Sequence, residues 1–289
     1  MNRLGLVCAA GLLAGGVVVS AQRIAIPEPR RGAGDSITGA FEGWYYNQDG
    51  SRSYLVGYYN RNSQQEIDIP IGPNNRIEPG GPDMGQPTHF LTGRQWGMFT
   101  VPVPRDFKPD DSYVWTITAN GQTTSIPLRM KADYVMSPFT EIAVGNTPPV
   151  IRFEQTGKTT QGPIAMLANA PARTATAGTA LALPLWLTDD MKYTSGTGAP
   201  VASTRAPASL RWSKYRGPGT VTFDKPRPEL EKLTQGEGAA YSAKATTNAT
   251  FSEAGDYVLH VTANDYSGDG GGGFQCCWTT ALIKIAVTR

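Results

Sequence analysis

Charge of one sign is scarce in this chain: 26 lysines and arginines stand against 24 aspartates and glutamates in 289 residues, a formal net charge of +2. No broad field of either sign therefore draws nucleic acid or acidic lipid to the surface, and nucleic-acid binding is not expected. Histidine is nearly absent, with only His89 and His260. Neither is accompanied by a nucleophile motif such as Gly-x-Ser-x-Gly, so the sequence offers no hydrolytic triad. Cysteine is limited to Cys8, Cys276 and Cys277. Zinc usually takes four ligands, and no second cysteine pair or clustered histidine completes a set around the adjacent pair. The glycine-rich stretches do not follow a strand and open a helix, as a phosphate cradle requires.

Long hydrophobic runs are also lacking, with one exception at the start. Arg3, the apolar run from Leu4 to Val19 and the small-residue ending Val19-Ser-Ala21 have the three parts of a signal peptide. Cleavage is expected after Ala21. The run is short for a membrane anchor and is interrupted by Gly5, Gly11, Gly15 and Gly16. Cys8 follows Leu6 and Val7 rather than a small residue, which disfavours lipidation. The expectation is a periplasmic or extracellular protein, with no membrane span once residues 1–21 are removed.

Glycine and proline are plentiful, at 33 and 22, which suits short strands joined by tight turns. Residues 22–37 form a flexible lead rich in proline, arginine and glycine. Residues 38–145 are expected to form a first β-sandwich domain. Phe41 to Tyr46 and Ser53 to Asn60 flank Asn47-Gln-Asp-Gly50, a hairpin signature. Tyr54, Val56 and Tyr58 alternate with Leu55 and Tyr59, so both faces are apolar and the strand is expected at the centre of its sheet. Ile67, Ile69 and Ile71 predict a further strand, and Pro73 to Leu91 a long irregular loop. Trp96 to Val103 and a hairpin turning at Asn120-Gly121 complete the domain. Asn146-Thr-Pro-Pro149 is a stiff junction, and residues 146–289 form the second domain.

That second domain is organised around two alternating segments, Ser209 to Phe223 and Ala249 to Asp265. The run Gly255-Asp-Tyr-Val-Leu places Tyr257 just after a turn, where its hydroxyl can bond back to the corner. Together with Asn146-Thr-Pro-Pro-Val150, Ala177-Gly178, Leu210-Arg-Trp212 and Gly217-Pro-Gly219, these residues resemble PKD-type and related immunoglobulin-like domains of secreted bacterial proteins. The first half resembles uncharacterised secreted bacterial proteins. The resemblance implies a seven-strand sandwich with a stalk, spacer or binding role, and it carries no catalytic residues. The fold class is accordingly all-β: two antiparallel sandwiches in tandem, the second immunoglobulin/PKD-like.

Four groups of residues are candidate sites. In an immunoglobulin-like order, the loops bearing Asp189-Asp190 and Asn264-Asp265 through Asp269 emerge at one end. Asp189, Asp190, Asp265 and Asp269 could then bind Ca²⁺, the alternative being turn residues bonded to nearby backbone. Trp44, Tyr46, His89 and Trp96 are candidate ligand-binding residues, since aromatic faces suit sugars and protein partners. Glu66 and Asp68 fall on one strand face like a glycosidase pair, but Ile71 stands where a further acid is needed. His260 alternates with Leu259 and Val261 and is expected to face water. The pair Cys276 and Cys277 is open to three readings: a vicinal disulfide, two inert thiols or an intermolecular bridge. The function expected is a non-enzymatic binding, adhesion or scaffold protein that recognises a protein or carbohydrate partner. A glycosidase-like hydrolase is the alternative.

Overall fold

The computed structural model describes residues 31–108, 110–142, 145–192, 207–234, 240–265 and 276–289. The expected signal peptide, most of the lead and Asp269 lie outside the described residues. In chain order the strands of the first half are β1 (Ile37–Tyr46), β2 (Arg52–Asn60), β3 (Ile67–Asp68), β4 (Asn75–Glu78), β5 (His89–Phe90), β6 (Gly93–Val103), β7 (Ser112–Ala119) and β8 (Gln122–Arg129). They form two three-stranded antiparallel sheets, β1-β2-β6 and β4-β7-β8, and a short β3-β5 pair. β2 is central, in keeping with its two apolar faces. Between the sheets lie Tyr54, Tyr58, Phe90, Phe99 and Trp115, all fully buried. Burial of each such side chain contributes about 1.5–3 kcal/mol. Phe99 meets Trp115 edge-on with centroids 5.2 Å apart.

The second half contains β9 (Val150–Arg152), β10 (Thr160–Gln161), β11 (Ala172–Thr176), β12 (Leu181–Asp189), β13 (Ala208–Arg216), β14 (Val221–Phe223), β15 (Glu231–Lys232), β16 (Tyr241–Phe251), β17 (Gly255–Asp265) and β18 (Trp278–Thr288). One sheet runs β10-β9-β12-β16-β14, with β15 also on β16, and the other runs β11-β18-β17-β13. β11 joins β18 in parallel, whereas the other pairs are antiparallel. Leu183, Leu185, Trp212, Phe251, Leu259 and Ile283 fill the space between these sheets.

Three expectations are corrected. The loop from Pro73 to Leu91 contains two short strands, because Asn75 anchors it from inside. The buried amide of Asn75 donates to Ile69 O at 3.0 Å and Pro87 O at 2.8 Å, and it accepts the Trp115 indole N–H at 3.0 Å. Leu230 to Leu233, whose sequence suggests a brief helical turn in the connection before β16, is extended instead, since Glu231 and Lys232 pair with β16. His260 does not face water. The outer face of the β11-β18-β17-β13 sheet packs on the first half, so alternation places His260 against protein, 2% exposed.

The contact between the halves is extensive. Tyr215, Val258, Leu282 and Ala165 belong to the same apolar cluster as Tyr58 and Phe99. The Tyr215 hydroxyl donates to Gly85 O at 2.6 Å, and Thr88 N–H donates to Tyr215 O at 3.2 Å. Arg216 grips both carboxylate oxygens of Asp83 at 2.9 Å. Gly97, at φ 47°, admits the Trp278 ring so closely that a Cβ there would lie 2.8 Å from it.

Candidate functional site

The short pair β3-β5 builds a cleft at the junction of the halves. Its register sets Asp68 opposite His89, and cross-strand neighbours of this kind lie within side-chain reach. His89 Nδ1 is 3.0 Å from Asp68 Oδ1, and Nε2 is 3.1 Å from Glu66 Oε2. From β13, Lys214 donates to Asp68 at 3.1 Å. These side chains, with Thr220, Ser252 and Glu253, line a cavity of about 420 Å³.

The electrostatics of this cleft define what it can do. Burial, and to a lesser degree the charge of Lys214, disfavour a charged His89 ring, but its hydrogen bonds to Asp68 and Glu66 and the charge of Asp68 outweigh them and raise the pKa above 6.5. The His89 hydrogen bond holds Glu66 below its ordinary value. For Asp68, burial pushes upward, yet His89 and Lys214 bring the net shift down. Two carboxylates thus clamp the imidazole and favour its protonated form. A glycosidic general acid requires a carboxyl raised well above its normal pKa, and neither Glu66 nor Asp68 is one. The arrangement suits ion pairing across the junction.

The four expected ligand-binding residues are not on one surface. Trp44 and Tyr46 come together, with ring centroids 5.3 Å apart. Trp44 is 9% exposed and its indole N–H donates to Lys131 O at 2.7 Å, whereas Tyr46 is 58% exposed. Half-buried Trp96 lies beneath the Arg94 guanidinium, 3.8 Å from the ring centroid. Arg94 in turn donates to Glu42 at 2.6 Å. His89 lies in the separate cleft.

Lys214 and Tyr134 were not among the sequence candidates. Tyr134 is 48% exposed and meets Phe41 edge-on at 5.7 Å. Its segment reaches β1 through a Met136 N–H to Trp44 O bond of 2.9 Å. A cleft of about 370 Å³ beside it is lined by Phe41, Glu42, Arg129, Lys131 and Tyr134.

At the end of the second half where β12 and β17 finish, Asp190 and Asp265 bond to the 146–147 segment, with Asp189 next to Asp190 in sequence. Asn146 Nδ2 donates to Asp265 Oδ2 at 2.6 Å, and Asp190 Oδ2 accepts from Thr147 N–H at 3.0 Å and its hydroxyl at 2.9 Å. Asp189 Oδ1 accepts from Met191 N–H, while Oδ2 is buried without a partner among the described residues. Burial, aided by Asp265 and Asp190, pushes the Asp189 carboxyl up to about 7. Among the described residues, no group of three or more His, Cys, Asp or Glu side chains is placed to hold a metal ion. Nearby, Cys276 and Cys277 are joined to each other by a disulfide, with Cys277 Sγ 3.4 Å from Asn146 O.

The class of protein that these sheets define is an all-β chain of antiparallel sandwich sheets. No known protein family matches the chain, and no curated protein matches it by sequence. Among solved structures, domains 4 and 5 of the S-layer protein SbsC match with 10% identity and a TM-score of 0.24, over 88% of this chain and 98% of that one. The titin A168–A169 structure matches with 13% identity and a TM-score of 0.23, over 87% and 99%. At these scores the likenesses carry no argument, and the fold class rests on the sheets themselves. No helix among the described residues is long and apolar enough to cross a membrane.

Proposed function

We propose that this chain is an exported, non-enzymatic recognition and scaffold module that engages a protein or glycan partner through an aromatic ridge on its first half. The carrying observation is that Tyr46 and Tyr134 stand exposed at 58% and 48%, each braced edge-on by a deeper ring, Trp44 or Phe41. Braced aromatics offer large contact faces with little freedom to lose on binding. The adjoining cleft adds Arg129, Lys131 and Glu42 for polar contacts.

The test is affinity electrophoresis in soluble polysaccharides, with photo-crosslinking from position 129, in the adjoining cleft, on intact cells as the protein arm. Retardation or a discrete crosslinked partner is expected, and Tyr46→Ala with Tyr134→Ala should weaken it at least tenfold, the loss typical of two binding hot spots. Retention or crosslinking that is unchanged by the double substitution would overturn the proposal.

A further inference from the structure

We propose a second, independent site: the open edge of the second sandwich binds a free single-chain carboxylic acid, its alkyl chain on the apolar side chains that line a cavity and its carboxylate on Arg173 and Lys158. The cavity measures about 400 Å³, within the range of about 300–1,000 Å³ for small-molecule sites. Its walls come from residues around β9 and β10, from the connection between β10 and β11, and from β18. That connection is held at several points. Ala165 N–H donates to Thr280 Oγ1 at 3.3 Å, Thr280 N–H donates to Gly162 O at 3.2 Å, and Lys284 N–H donates to Pro171 O at 2.8 Å.

The lining carries apolar side chains together with polar ones, Thr159, Thr160, Asn169 and Thr280. Phe153, Ile164 and Met166 are only half-buried and turn apolar surface toward the cavity, and Leu282 adds to its wall. Alanines at 170, 172 and 281 keep the remaining walls low. An alkyl chain seated there removes this surface from water, which is the main driving force available. Charge at the cavity specifies the head group. Arg173 is fixed by donating to Phe153 O at 2.8 Å, and a guanidinium has five N–H donors in a planar fork that matches a carboxylate. Lys158 supplies a second cation, while Glu154 supplies one anion. Two cations favour one carboxylate, and Glu154 repels a second. The ligand class is therefore a monocarboxylate rather than a dicarboxylate.

Titration calorimetry of the full chain with octanoate, decanoate and dodecanoate, all below micelle formation, tests this. One-to-one binding is expected, strengthening about fourfold per added methylene. Arg173→Gln should weaken dodecanoate about ten- to hundredfold while leaving dodecan-1-ol unchanged, as loss of a charge-assisted hydrogen bond predicts. Ala172→Trp, which narrows the cavity, should weaken both. A melting temperature near that of the wild type establishes that each variant is folded, and Arg173→Gln decides alone if Ala172→Trp is not. Absence of binding, affinity independent of chain length, or binding unaffected by Arg173→Gln would each overturn the proposal.

Discussion

His260 sits within the junction of the two halves, its ring stacked on Tyr215 with centroids 5.8 Å apart and an interplanar angle of 17°. Nε2 has no hydrogen-bond partner among the described residues. Burial, reinforced by the charge of Arg211, lowers its pKa from 6.5 to about 3, against a smaller opposing effect of a backbone hydrogen bond at Met98. Unfolding releases the ring into water, where it binds a proton below pH 6.5. Between that value and about 3 the unfolded state carries the extra proton, so stability falls as pH falls. At about 1.4 kcal/mol per unit, the loss approaches roughly 3–5 kcal/mol by pH 3. Denaturant midpoints should therefore drop more steeply in the wild type than in His260→Leu over this range; parallel curves would refute the assignment. Alternation along β17 was readable from the sequence, but which face was wet was not. The covering surface comes from β6, more than 150 residues earlier in the chain.

At the scale of the element, the corner before β17 is the best example of local sequence acting locally. The Tyr257 hydroxyl donates to Glu253 O at 2.9 Å and accepts from Gly219 N–H at 3.1 Å. Gly255 adopts φ 148° with Pro218 packed where a Cβ would stand, 2.7 Å away. Tyr257→Phe keeps the ring but leaves both backbone groups unpaired, so it should destabilise the protein by roughly 1–3 kcal/mol in equilibrium urea unfolding. A change near zero would mean that the corner bond contributes nothing. Gly-Asp-Tyr-Val-Leu was visible because its turn and strand residues are contiguous. The β3-β5 pair was not visible as a unit, because two-residue strands are too short to show periodicity. Glu66 with Asp68 and, separately, His89 were each recognised, yet their meeting depends on the loop that Asn75 folds back.

For the whole molecule, the junction joins cores that would otherwise be independent. Tyr215 is fully buried there and bonds to Gly85, while Lys214 and Arg216 on either side pair with Asp68 and Asp83. One calorimetric unfolding transition is expected for the wild type. Tyr215→Ala removes a large ring and leaves a cavity, at a cost of about 3–5 kcal/mol. Separation into two transitions, or a clear fall in the midpoint, should follow. A single transition at the wild-type temperature would show that the junction does not couple the halves.

By itself the sequence determined the all-β class, the hairpin turning at Asn47-Gln-Asp-Gly50, the central position of β2 and the Tyr257 corner. Each of these depends on residues close together in the chain: turn chemistry, period-two alternation and short-range hydrogen bonds. Tertiary structure alone decided that His260 is buried, that Lys214 completes the Glu66-Asp68-His89 cluster, that Tyr134 packs edge-on against Phe41, and that a cavity lies between β18 and the segment before β11. These depend on which distant surfaces meet. Burial and electrostatics are properties of the space around a side chain, and that space is filled by residues whose proximity no local pattern encodes.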